Sequence, residues 1–380
     1  MGVMQWIEQH ENDIIETYKH LHTIPELAHQ EVKTAAFIAE ELRKAGLEVE
    51  EKAEGTTGII ATMRGKEPGP VVGVRADMDA LPMEEETGLP FSSTHPGAMH
   101  SCGHDANCTV ALWTAKALAA NGGIKRGTLK FVFQPAEEIV SGARKFLATG
   151  KLDDIEDFFS LHLRPRSEAV FGEAVVGISH SACCPLKVRL KGKSAHGARP
   201  HQGINVAEVA GLISHAVGIV RCDPTVTHSA KCTHIRVDTG THNIIPDKGT
   251  VYFDLRSQTN EVMDDQIEKV VRAITKCAEA MGAEAEIDMT RCPAAQLDPD
   301  LMEEARVAIT SVLGSALPMV KVPASEDFHV FAVEGGKRTT QIGIGTDCEA
   351  VHNPKAVFNL GASPIGVKIM TTLLVNKLGN

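Results

Sequence analysis

Apolar residues recur at helical spacing over residues 4–21 (Ile7, Ile14, Ile15, Tyr18, Leu21) and again over 30–45, where Gly46 supplies a stop. Short β-rich runs follow: "TGIIATM", "PVVGVRA" and, beyond a helical stretch at 106–120, "TLKFVF" and "DFFSLHL". Strands alternating with helices predict an α/β sheet that is partly parallel. From about residue 183 the rhythm changes. "CCPLKVRLKG" reads as a strand, "INVAEVAGLISHAVGIV" as a helix, "HSAKCTHIRVD" and "GTVYFDLRSQ" as two strands, "EVMDDQIEKVVRAITKCAEAMG" as a helix and "EAEIDM" as a strand. That order, βαββαβ, is the ferredoxin-like unit. Helical periodicity returns at 299–312 and near 363–377. The pattern predicts one domain built from two separated segments, 1–180 and 292–380, with a second domain, 181–291, inserted between them.

Composition agrees with that division. A chain of 380 residues exceeds what one core usually organises. Apolar content of 43% and charged content of 23% are ordinary for a soluble globular protein. The net charge of −11 disfavours nucleic acid or an anionic membrane as a partner. The N-terminus, "MGVMQWIEQHENDII", carries acids and lacks the apolar run of a signal peptide. No stretch approaches the roughly 18 apolar residues of a membrane span. Nine cysteines, an odd number without a secreted framework, suggest reduced thiols in the cytoplasm.

Several stretches depart from ordinary core or surface. In "FVFQPAEEIV" (131–140) the adjacent carboxylates Glu137 and Glu138 follow an apolar run directly, an arrangement that repulsion and desolvation disfavour unless positive charge is close. "RADMDALP" places Asp77 and Asp79 two apart, on one face if the strand continues. "MHSCGHDAN" brings together His100, Cys102, His104 and Asp105 before a helix, His162 interrupts "DFFSLHL", and His352 lies in "AVHNP". Cysteine, histidine and carboxylate ligands suit zinc, manganese or a similar divalent ion. One glutamate can then be a ligand and its neighbour a general base. Each feature also has a plainer reading. His162 can be a satisfied core histidine, Asp77 and Asp79 turn formers, and "AEE" the acidic opening of a helix. Their common placement near predicted strand ends, where open α/β sheets bind ligands, favours the site.

Taken together, "HTIPELAHQE", "RADMDALPMEEETGLPF", "MHSCGHD", "FQPAEE", "NIIPD", "SEDFHVF" and "VHNP" resemble the M20 family of metallopeptidases, and within it the amidohydrolases that cleave N-acyl amino acids, hippurate, aminobenzoyl-glutamate and auxin conjugates. The resemblance implies a mixed-sheet α/β catalytic domain with two divalent ions, zinc or manganese, with cobalt or nickel as further options. It also implies an inserted ferredoxin-like lid that can form a homodimer. It places the ligands at Cys102, His104, Glu138, His162 and His352 and the general base at Glu137. Asp77, Asp79 and Asp105 become groups that orient ligands. His196, in "SAHGARPH", falls where relatives stabilise the oxyanion; Asn243 and Arg256 become candidates for holding a substrate carboxylate.

Asn107, the segment after His352 and Asn205 depart from the family's usual pattern without removing a proposed ligand. The expected activity is hydrolysis of an N-acyl amino acid by a metal-activated water, with no nucleic acid or membrane as partner. Alternatives are a dipeptidase or carboxypeptidase at the same site, a cysteine hydrolase using Cys102 with His104 or His100 as base, and a non-catalytic binding protein that retains the metal site.

Overall fold

The computed structural model describes residues 2–380, which divide into two compact units. The first comprises Met1–Ser179, Gln296–Val320 and Asp327–Asn380; the second comprises His180–Ala295 and Lys321–Glu326.

The first unit is organised by a mixed seven-stranded sheet. Its spatial order is Glu48–Glu51, Ile59–Arg64, Arg126–Gln134, Glu67–Asp77, Asp157–Arg164, Arg338–Gly345 and Ala174–Val175. The four central strands, Arg126–Gln134 through Arg338–Gly345, run parallel to one another, and the flanking pairs are antiparallel. Every residue of Asp157–Arg164 is buried, as expected of a parallel strand covered on both faces. Helix His104–Ala120 is apolar around nearly its whole circumference for the same reason. It packs on the sheet and is itself covered by helices Glu11–Thr23 and Ala362–Leu378. A second cluster, including Phe146, Phe158, Phe328 and Phe331, forms a separate core within this unit.

The helical pattern over residues 4–21 resolves into two helices, Val3–Gln9 and Glu11–Thr23. The His10 ring nitrogen Nδ1 bonds the Trp6 carbonyl at 2.8 Å, and the ring stacks on Trp6. A side chain thereby takes the carbonyl that the helix ladder would have used. Helix Val32–Lys44 stops at Gly46, whose φ of 87° is the left-handed conformation the terminus requires.

The second unit realises the ferredoxin-like order. Its antiparallel sheet runs His228–Arg236, Lys248–Ser257, Ala182–Lys191, Glu284–Met289. Alternate residues Cys184, Leu186, Val188 and Leu190 are buried with Val251, Phe253 and Leu255 beneath helices Val206–Gly218 and Asn260–Ala280. Asn205 caps the first helix by accepting the Ala207 N–H, and Thr259 caps the second by accepting from Val262. A ribbon pairs Ala195–His196 with Ile244–Ile245.

Candidate metal centre

The chemistry predicted from sequence gathers at the C-terminal edge of the parallel strands. Asp77 is the last residue of its strand, and Glu137 follows Gln134 by three positions. His162 lies two residues before the end of Asp157–Arg164. His104 is the first residue of its helix, after Gly103 at φ 92°, a turn into the helix that a side chain would strain. His352 comes from the loop beyond Arg338–Gly345 and also has a positive φ, 56°. Glu137 and Glu138 do not open a helix, which corrects the helix-dipole reading. Residues 137–140 form a turn, and the next helix starts at Gly142.

Asp79 lies beyond the strand, so it does not share a strand face with Asp77; both nevertheless converge on His104. The Asp79 carbonyl accepts His104 Nδ1–H at 2.8 Å, and Asp77 Oδ2 lies 3.7 Å from His104 Nε2. A carbonyl only accepts, so Nδ1 carries a proton and Nε2 is the atom that His104 presents to a proton or a metal ion. Nε2 is buried and has no hydrogen-bond partner. His162 is set in the same way: Nδ1 bonds the Leu163 carbonyl at 2.8 Å, and Nε2 lies 3.7 Å from Cys102 Sγ. Holding one ring nitrogen on a carbonyl is how proteins orient metal-binding histidines.

Three triads each bring their ligand atoms within 4.8 Å of one another: Cys102, His104 and His162; Cys102, Glu138 and His352; and His104, Glu137 and Glu138. Cys102 and His104 each belong to two of them. The Asp79 carboxylate accepts the backbone N–H groups of Glu137 and Glu138, each at 3.0 Å. Glu137 Oε1 in turn accepts the Asp327 N–H at 3.3 Å.

The field at the site favours a cation. Burial lowers the proton affinity of His104, but Asp77 and Cys102 outweigh it and raise that affinity well above the ordinary range. Burial would raise the Asp77 carboxyl, yet Arg75, His104 and His162 hold it well below the usual carboxylate range, so it stays charged. Burial, reinforced by Glu138, pushes the Cys102 thiol up to about 12. A thiol so disposed is a poor free nucleophile, which counts against a cysteine hydrolase; as a thiolate it needs a bound cation beside it. The donor set therefore fits divalent metal: soft sulfur, two imidazoles each held at Nδ1 by a backbone carbonyl, and carboxylates.

Asp105 bonds His22 Nδ1 at 2.6 Å and the Ala106 N–H at 2.9 Å, so it acts on His104 only through the helix turn they share. Asn107 donates to Asp77 Oδ1 at 2.7 Å. In the second unit, His196 pairs with Ile244 across the ribbon, and the Gly197 N–H bonds the Asn243 carbonyl at 2.7 Å, so these two candidates are neighbours. His196 Nδ1 accepts the Ala198 N–H at 3.0 Å, which leaves Nε2–H as an exposed donor. The Arg256 guanidinium is engaged by Asp254 at 3.0 Å and by Ser325 at 3.2 Å.

A family model described as Peptidase family M20/M25/M40 matches residues 73–376. The chain belongs to this family. It is 32% identical over 321 residues to an N-acetylcysteine deacetylase of Bacillus subtilis, covering 84% of each chain. It is 31% identical over 342 residues to thermostable carboxypeptidase 1 of Saccharolobus solfataricus, covering 86% of each. A dinuclear metal-binding peptidase of the M20 family from Bacillus subtilis superposes with a TM-score of 0.82 at 29% identity, covering 98% of this chain and 99% of the other.

Around these side chains stand residues that the sequence reading passed over. Ser101 Oγ accepts the Asn353 N–H at 2.8 Å, and the Ser101 carbonyl accepts the His352 N–H at 3.0 Å, tying the Cys102 loop to the His352 loop. Arg75, fully buried, joins Asp77, Gln134 and Asp327 behind the ligands. An arginine in an apolar run, "PVVGVRAD", was the available signal, because a buried cation needs buried acids. No helix among the described residues is long and apolar enough to cross a membrane.

Proposed function

We propose that the protein is a metal-dependent amidohydrolase that cleaves N-acyl amino acids into a free acid and an amino acid. The observation that carries this reading is the Glu137–Glu138 turn set against Cys102, His104 and His162, with His352 beside Glu138. Cys102, His104, Glu138, His162 and His352 would hold two divalent ions; zinc or manganese suits the donors best, and cobalt or nickel is compatible. Bound there, such ions supply Lewis acidity, which polarises a carbonyl and acidifies water.

The rest of the chemistry falls to the chain's own side chains. Glu137, held at its N–H by Asp79 and at Oε1 by Asp327, accepts the proton of the attacking water. It then delivers that proton to the departing amide nitrogen, so the C–N bond breaks to give acid and amine. His196 Nε2–H is a donor suited to the oxyanion, and Asn243 and Arg256 are suited to the substrate carboxylate. Asp254 already engages Arg256, so a carboxylate there must share or displace it. The similarity to an N-acetylcysteine deacetylase supports the acyl-amino-acid class. A carboxypeptidase or dipeptidase is the second reading, supported by the carboxypeptidase relative.

We further propose that the second unit is a lid and the dimerisation element, for which its exposed edge strand His228–Arg236 is suited. We place the protein in the cytoplasm, where cysteine thiols stay reduced.

The test is to strip the protein with a chelator under reducing conditions and assay N-acetyl, N-benzoyl and aminobenzoyl amino acids and dipeptides. Zinc, manganese, cobalt or nickel is then added back. Metal-restored hydrolysis of acyl amino acids over dipeptides is expected. Preference for dipeptides would install the second reading, and absence of turnover despite stoichiometric metal would leave a binding protein.

A further inference from the structure

Three consecutive backbone N–H groups lead into the paired glutamates, and each is bound by a carboxylate. Glu137 and Glu138 donate to Asp79. Ala136 donates, at 3.0 Å, to Oε1 of Glu31, 105 residues earlier in the chain. Ala136 is fully buried and holds a φ of 57°. A non-glycine residue in this region is strained and persists only where its surroundings impose it. Here the Glu31 contact secures its N–H, while its carbonyl accepts from Ser141 at 3.1 Å and Gly142 at 3.3 Å.

Glu31 binds other groups as well. It is fully buried and precedes helix Val32–Lys44 without capping it through its side chain. Oε1 also accepts the His29 N–H at 3.0 Å, and Oε2 accepts the Thr57 hydroxyl at 2.6 Å. His29, likewise at positive φ, extends the same docking: its Nε2 lies 3.0 Å from Ser141 Oγ. The stretch 29–31 is thus fastened to both ends of the turn 136–141. Burying a carboxylate is costly, and burial raises the Glu31 carboxyl to about 7, partly offset by its hydrogen bonds to Thr57 and to backbone N–H groups. A chain that needed only to fill this space would do better with an apolar residue.

We propose that Glu31 is a positioning residue for the Glu137–Glu138 turn. By gripping the Ala136 N–H it holds the left-handed residue from which the two carboxylates are launched, and Asp79 completes the hold on the next two N–H groups. This rests on the hydrolytic reading of that turn.

Both backbone donors share Oε1, while Oε2 faces a hydroxyl that can donate or accept. An amide reproduces all three contacts, so Glu31→Gln is expected to retain turnover and metal affinity. Glu31→Ala leaves the Ala136 N–H buried without an acceptor, and Glu31→Asp retracts the carboxylate from it. Both are expected to lower kcat and zinc affinity by about tenfold to a hundredfold, the usual effect of losing a group that orients a metal site, with KM little changed. The full-length variants are assayed well below their melting temperatures, and zinc affinity is measured by chelator competition.

Loss of melting temperature alone, with kcat and zinc affinity intact in Glu31→Ala and Glu31→Asp, would overturn the proposal. So would a Glu31→Gln variant as impaired as Glu31→Ala. Should the wild-type chain hydrolyse nothing, the hydrolytic reading fails separately, and zinc competition still decides whether Glu31 positions the turn.

Discussion

Asp79 accepts the backbone N–H of Glu137 at 3.0 Å while its own carbonyl fixes His104 at 2.8 Å, so one residue orients the candidate base and a candidate ligand. Asp79→Ala would preserve the carbonyl contact and release the turn. Zinc affinity and kcat are expected to drop by about tenfold to a hundredfold. Asp79→Asn, which keeps one acceptor oxygen, should fall between. Chelator competition on both variants checks this, and unchanged affinity in Asp79→Ala would remove Asp79 from the site's architecture.

Glu137→Gln should lower kcat by about 10²–10⁴, the contribution of a positioned acid–base group. Metal content should stay at the wild-type value, because Cys102, His104, Glu138, His162 and His352 are untouched. Elemental analysis beside steady-state kinetics reads both. A variant that loses metal as well as rate would make Glu137 a ligand rather than a base.

The buried His22 supplies a pH-dependent prediction. Burial lowers its pKa, but the hydrogen bonds to Asp105 and Glu85 dominate and raise it to about 9 from 6.5. A raised histidine contributes stability that is complete below its unfolded value and is lost as pH rises through the folded one. The stability gap between wild type and His22→Phe should therefore be largest below pH 6.5, on the order of 3 kcal/mol, and should close as pH passes through about 9. Denaturant unfolding from pH 6 to pH 10 measures it, and a gap independent of pH would mean that His22 is neutral.

Arg75 carries the buried charge network. Its guanidinium bonds Gln134 at 3.0 Å and Asp327 at 2.9 Å and pairs with Asp77. Arg75→Met leaves two buried acids without their cation, at an expected cost of about 3–5 kcal/mol. Calorimetry or chemical denaturation tests this. A loss below about 1 kcal/mol would show that metal-site histidines and Gln134 suffice to stabilise Asp77 and Asp327.

Much of this architecture could be read from local pattern. Helix Val32–Lys44 with its Gly46 stop, the buried parallel strands and the six elements of the inserted unit all follow from periodicity, because burial imposes a spacing of 3.6 or 2 on each element independently. The donor types that gather at the strand ends were legible too, because cysteine, histidine and paired acids stand out from the apolar runs beside them. Register within the site was not. The break at His10 depends on a ring reaching one carbonyl, and a turn at 137–140 stands where a helix start was plausible, with Asp79 on the N–H groups of Glu137 and Glu138 and Glu31 on that of Ala136.

Chain order and residue type thus determined the family, the two-unit plan and the donor inventory. Tertiary structure decided which atom of each donor faces inward. The Nε2 atoms of His104 and His162 are presented because carbonyls of Asp79 and Leu163 occupy the opposite nitrogens. Glu137 is aimed because two carboxylates, 105 and 58 residues away in sequence, hold the backbone before and at it. Such contacts join segments that meet only after folding, and hydrogen bonds between distant segments leave no period in the sequence to read.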